Sequence, residues 1–131
     1  MTEHVGIVLV SHSAAMAAGL RELLVELGSG AVPVLLAGGT EEGGLGTSYD
    51  LIVRAVAAAA EGGAGVVVLP DLGSSVLTAR TALEDHPHAG VVLVDAPFVE
   101  GAVAAVVTAS AGAGLAEVVS AAEGARDFRK L

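Results

Sequence analysis

Short apolar runs alternate with amphipathic stretches along the whole chain. Val5–Val10 is a β-branched run and predicts a strand. Met16, Leu20, Leu23, Leu24 and Leu27 then recur at helical spacing and stop at Gly28. Val32–Ala37 predicts a second strand. A glycine-rich loop, GGTEEGGLGTS (38–48), leads to a second helix marked by Leu51, Ile52, Ala55, Val56 and Ala59, which Gly62-Gly63 ends. A third strand is expected over 66–69, a third helix over 74–85 and a fourth strand over 91–94. Val99, Ala102, Val103, Val106 and Val107 mark a fourth helix, and Gly112 and Gly114 break it before a last helical segment over 115–124.

None of the four strands alternates apolar with polar. Strands that are apolar at successive positions are buried on both faces, and strands that alternate with helices run parallel. With short loops and right-handed crossovers, the economical answer is a small doubly wound α/β fold. It has about four parallel strands in the order 2-1-3-4, with helices on both faces. A length of 131 residues suits one domain with one substantial core.

Composition narrows the functional classes. Apolar residues make up 53% of the chain but aromatics only 2%, so small aliphatic side chains must supply tight helix and strand packing. Gly, Ser or charge interrupts every apolar run before the roughly 18–20 residues a membrane span needs. The first four residues lead almost directly into a strand, which leaves no room for a cleavable signal, and a cytoplasmic protein is expected. With no cysteine there is neither a disulfide framework nor a thiolate metal site, and no cluster of zinc ligands stands in the sequence. No metal or cofactor is expected. The net charge is −9, and three of the six basic residues (Arg126, Arg129, Lys130) lie at the extreme C-terminus. Nucleic acid is excluded as a partner because phosphate neutralisation and base stacking both lack their residues.

In an open parallel sheet, ligands bind beyond the carboxyl ends of the strands. Ser11-His12-Ser13, the 38–48 loop, Pro70–Ser75 and Asp95-Ala96-Pro97 fall there. His12 and Asp71 are titratable residues followed closely by helix starts that carry Ser or Gly, and neighbouring first and third strands would bring them together. A carboxylate at Asp71 would accept Nδ1–H, fix the tautomer and leave Nε2 as a nucleophile. Helix N-termini favour an anion nearby. Ser11 and Ser13 add hydroxyls, and the turns Gly46-Thr47-Ser48 and Gly73-Ser74-Ser75 add donors for phosphoryl oxygens. This is the arrangement a phosphoryl-accepting histidine requires.

Plainer readings stand beside it. A lone histidine at a strand end is commonly a satisfied structural residue, an Asp at a strand–helix junction commonly caps the helix, and glycine loops commonly just turn the chain. His86 and His88 read as a solvated connection, His4 lies at the opposite end of the sheet, and Glu41 and Glu42 read as a loop tip. Sharper alternatives lack their residues. Lys130 is the only lysine, which excludes a Walker A loop; S-H-S replaces the dinucleotide fingerprint; and no G-x-S-x-G elbow is present. Asp71 ends the third strand as a receiver-domain phosphoacceptor would, but the acidic pair after the first strand and a later sheet lysine are absent.

The segments IVLVSHSAAMAAGL, GLGTSYDLIVRAV, VVVLPDLGSSVLTARTALE and APFVEGAVAAVVTASAGAGLAEVV span nearly the whole chain. Together they resemble the mannose-type enzyme IIA family of phosphotransferase systems, and within it the branch that serves phosphoenolpyruvate-dependent dihydroxyacetone kinase. The resemblance implies an enzyme IIA domain over residues 1–124, with 125–131 as a polar tail or the start of a linker. It implies a homodimer and a transient phosphohistidine at His12 Nε2, with Asp71 orienting the ring. It further implies phospho-HPr as donor and the ADP-bearing subunit of the kinase as acceptor, so that no nucleotide loop is needed here. A sugar-transporter IIA component and a phosphohistidine regulatory module are the alternatives.

Overall fold

The computed structural model describes residues 3–131. Four strands, β1 (Gly6–Ser11), β2 (Val34–Gly38), β3 (Val66–Pro70) and β4 (Val91–Leu93), form one parallel sheet in the order β2-β1-β3-β4. The helices are α1 (Ala14–Leu27), α2 (Tyr49–Ala60), α3 (Gly73–Asp85), α4 (Phe98–Ser110) and α5 (Leu115–Gly124), followed by a single 3₁₀ turn at Ala125–Asp127. The expected doubly wound architecture and strand order are the observed ones.

The period-2 geometry of a strand explains why apolar runs lacking alternation fit here. Ile7 and Leu9 of β1, with Val67 and Leu69 of β3, point into a core closed by Leu20 and Leu24 of α1, Val106 of α4 and Val118 of α5. Val8 and Val10, with Val66 and Val68, point the other way, onto Ile52 and Val56 of α2 and Ala79 and Ala82 of α3. Every residue of β1 and β3 is buried. Burial of each Ile, Leu or Val side chain stabilises the fold by roughly 1.5–3 kcal/mol. Alanines such as Ala17, Ala55, Ala102 and Ala105 form much of the helix surface facing the sheet and let the layers approach closely without aromatics.

Serine sets two helix starts. Ser13 Oγ accepts from the Met16 N–H, and Ser48 Oγ accepts from the Leu51 N–H. Residues 125–131 are tied back to the body: Ala125 is buried, Arg126 pairs with Asp95, and Lys130 pairs with Glu100 at 2.7 Å.

Candidate active site

The register of the two central strands builds the site. Val10 stands opposite Pro70, so Ser11, the last residue of β1, and Asp71, the first residue past β3, lie side by side with His12 one position further on. The Asp71 N–H donates to the Val10 carbonyl at 2.9 Å and holds that exit in place. This junction between β1 and β3 is the switch point, where α1 and α3 diverge to opposite faces.

Asp71 gathers five donors. Its Oδ2 accepts from Ser11 Oγ and from the His12 backbone N–H, both at 3.0 Å. Its Oδ1 accepts from His12 Nδ1 at 2.9 Å, Ser75 Oγ at 2.6 Å and the Leu72 N–H at 2.7 Å. Partial burial pulls the carboxyl pKa upward. The hydrogen bonds from Ser75, from the His12 backbone and ring, and from the Leu72 backbone outweigh it and hold the pKa at about 2. An ionised carboxylate only accepts, so Nδ1 of His12 carries a proton, and the tautomer this bond selects has its lone pair at Nε2. Ser75 Oγ, 3.1 Å from Nδ1, gives its own proton to Asp71 and adds a second acceptor beside the ring N–H.

Around Nε2 stand two further hydroxyls. Ser74 Oγ lies 2.5 Å away and Thr47 Oγ1 3.5 Å away. Thr47 arrives on the glycine-rich loop, which is folded by its own bonds. Thr40 N–H donates to the Gly44 carbonyl, Gly44 N–H donates to Thr40 Oγ1, and Arg54 of α2 pairs with Glu41 at 3.1 Å. The loop is pinned to the site where the Gly46 N–H donates to the His12 carbonyl at 2.9 Å. Gly46 has φ +141, a conformation side-chain-bearing residues rarely adopt. At the loop's start, a Cβ on Gly38 would lie 2.9 Å from the Ala14 Cα and 3.1 Å from the Ser13 carbonyl, so only glycine lets β2 pass this close to the start of α1.

The residues expected to contact a phosphoryl group divide into two sets. Ser74 and Thr47 border Nε2 and Gly73 opens α3, whereas the Gly46 N–H is committed to the His12 carbonyl. Ser11 and Ser75 are fully buried with their hydroxyls on Asp71, while the Ser13 hydroxyl caps α1. The sequence carried a signal for Ser75, which shares a helical face with the buried Ala79 and Ala82. The carboxylate does not act as the cap of α3. Leu72 occupies that position, without a side-chain cap, and the first turn is left open. His4 Nδ1–H donates to the Ala109 carbonyl, and His86 ends α3 with its ring 6.0 Å from Tyr49. Among the described residues, no three His, Asp or Glu side chains gather as a metal site would require.

Exposed leucines and a methionine lie near the site. Met16 of α1, Leu45 of the glycine-rich loop, and Leu72 and Leu77 at the start of α3 are all exposed. Leu45 and Leu72 are 82% and 62% exposed, high for large aliphatic side chains. Loop leucines have no periodicity to mark them.

The fold and this site define a class. Residues 6–119 match the model of the EIIA-man family, described as the PTS system fructose IIA component, and the chain belongs to that family. Within it, the chain is similar to phosphoryl donor subunits named DhaM. The Listeria innocua subunit of a PEP-dependent dihydroxyacetone kinase 2 is 38% identical over 106 residues, which are 79% of this chain and 84% of that protein. The Escherichia coli DhaM is 36% identical over 121 residues, 88% of this chain but only 25% of that longer protein. A solved protein of unknown function, EF1359, superposes with a TM-score of 0.83 at 30% identity and 95% coverage of both chains.

Proposed function

We propose that His12 is a phosphoryl carrier: Nε2 accepts the group from phospho-HPr and surrenders it to the ADP-bearing subunit of dihydroxyacetone kinase. The observation that supports this most directly is the Asp71 carboxylate, which five donors keep ionised and which fixes His12 as the Nδ1–H tautomer. In the transfer, the Nε2 lone pair attacks phosphorus while the donor's bond to phosphorus breaks with its electron pair. Positive charge grows on the ring as the new N–P bond forms, and Asp71 stabilises it through Nδ1–H. The open first turn of α3 and the Thr47 hydroxyl offer donors to the phosphoryl oxygens.

The relatives' names, each a phosphoryl donor subunit of a dihydroxyacetone kinase, favour this acceptor over a sugar-transport partner. The apolar rim suits a protein donor and a protein acceptor, since docking on it would exclude water from the phosphohistidine. We carry the homodimer from the family resemblance, and sedimentation of the full chain tests it. A cytoplasmic location fits donors of this kind, and no helix among the described residues is long and apolar enough to cross a membrane.

The test is to incubate the protein with phosphoenolpyruvate, enzyme I and HPr, then record the intact mass beside His12→Ala. One acid-labile phosphoryl group on the wild type alone supports the carrier. Adding the ADP-bearing kinase subunit should then discharge it. An unmodified wild type with active donors would overturn the proposal.

A further inference from the structure

We propose that the Ser74 hydroxyl is a two-position gate on the His12 nucleophile. It caps Nε2 in the resting protein and turns to the phosphoryl oxygens once the N–P bond has formed. The inference rests on the carrier reading above and adds a role that the hydrogen-bond inventory of the site exposes.

The two adjacent serines at the start of α3 are placed for different tasks. Ser75 is fully buried and bound to Asp71 at 2.6 Å, so it is fixed. Ser74 is exposed, and its hydroxyl lies on Nε2 at 2.5 Å. With Nδ1–H committed to Asp71, the nucleophilic form of the ring has Nε2 as an acceptor, and in that form the Ser74 O–H donates to it. That bond occupies the lone pair that attacks phosphorus. A reacting phosphorus has to approach along the same direction to roughly 3–3.5 Å, where the Ser74 oxygen now stands. The hydroxyl therefore leaves before transfer, and rotation about its own χ1 between staggered wells is sufficient.

In the transfer the Nε2–P bond forms, the donor's bond to phosphorus breaks with its electron pair, and the Nδ1 proton stays on the ring. The displaced Ser74 O–H keeps its proton and remains on the first turn of α3, where it can donate to a phosphoryl oxygen beside the uncapped backbone N–H groups. Thr47 Oγ1, at 3.5 Å from Nε2, flanks the same space from the loop. One hydroxyl thus restrains the free nucleophile and holds the group it later carries.

The gate makes two paired predictions for Ser74→Ala, an exposed position where loss of the hydroxyl spares the fold. Reaction of unphosphorylated His12 with diethyl pyrocarbonate, read on its own peptide by mass, should accelerate roughly two- to tenfold, the range set by one net hydrogen bond. Loss of the phosphoryl group to water, after the donors are removed, should accelerate by a similar factor. Ser74→Thr keeps the hydroxyl and should restore both rates. Unchanged or slower rates in Ser74→Ala overturn the gate, as does a change in only one of them. If the wild type takes up no phosphoryl group, the carrier reading and the second position fall together. The diethyl pyrocarbonate rate still decides the cap in that case.

Discussion

Nδ1 of His12 lies 2.9 Å from Oδ1 of Asp71, although the two residues are 59 positions apart in the chain. Neighbouring parallel strands join them, and the carboxylate is ionised because serine hydroxyls and backbone N–H groups converge on it. The pair acts as a unit in which Asp71 positions a ring that it never deprotonates. Asp71→Asn puts an amide where five donors now converge, so the fixed tautomer and the compensating charge are both lost. Phosphoryl uptake from phospho-HPr should slow by about a hundredfold or more. Rapid-quench kinetics checks this, and a wild-type rate would leave Asp71 a purely structural role.

The same carboxylate links stability to pH. Its pKa falls from 3.8 to about 2 on folding, so below 3.8 the unfolded chain binds more protons at this site than the native protein. Its contribution is present in full above the unfolded value and disappears as pH falls through about 2. The shift corresponds to on the order of 2 kcal/mol. Urea unfolding of wild type and Asp71→Asn across that interval should show their stabilities converging toward acid. A gap independent of pH would contradict the linkage.

Most of the fold could be read from the chain because unbroken apolar strands and glycine-ended helices leave few topologies. His12 and Asp71 could be read because the strand-end rule selects them from 131 residues. The division of labour among the serines could not. Ser11 and Ser75 face the carboxylate while Ser74 faces Nε2, and those directions depend on strand register and helix phase at single-residue precision. The apolar rim was equally hidden, because Leu45 and Leu72 sit in turns where spacing carries no information.

Gly38 is a geometric requirement of the site. A methyl group there meets the backbone of Ser13 and Ala14, which are fixed by the start of α1. Gly38→Ala should therefore destabilise the protein by about 1–3 kcal/mol, the usual cost of overpacking. It should also slow phosphoryl uptake, because the displaced backbone carries the segment that follows His12. Unfolding midpoints and uptake rates measured together check both, and an unchanged midpoint would show that β2 can move away freely.

The rim separates docking from chemistry. Leu45 and Leu72 make no side-chain hydrogen bond in the site, yet Leu45 precedes Gly46, which bonds the His12 carbonyl, and Leu72 follows Asp71, which bonds the ring. Converting both to serine leaves the imidazole, its tautomer and its carboxylate in place while removing apolar surface that a partner would cover. Burial of a leucine is worth about 1.5–3 kcal/mol when complete, and an interface realises only part of that. The double variant should lower kcat/KM for transfer from phospho-HPr by roughly ten- to a hundredfold. His12 should meanwhile react with diethyl pyrocarbonate at the wild-type rate. The opposite pattern follows if the leucines support the site itself, with transfer and small-reagent chemistry falling together. If neither rate changes, the donor approaches His12 by another surface.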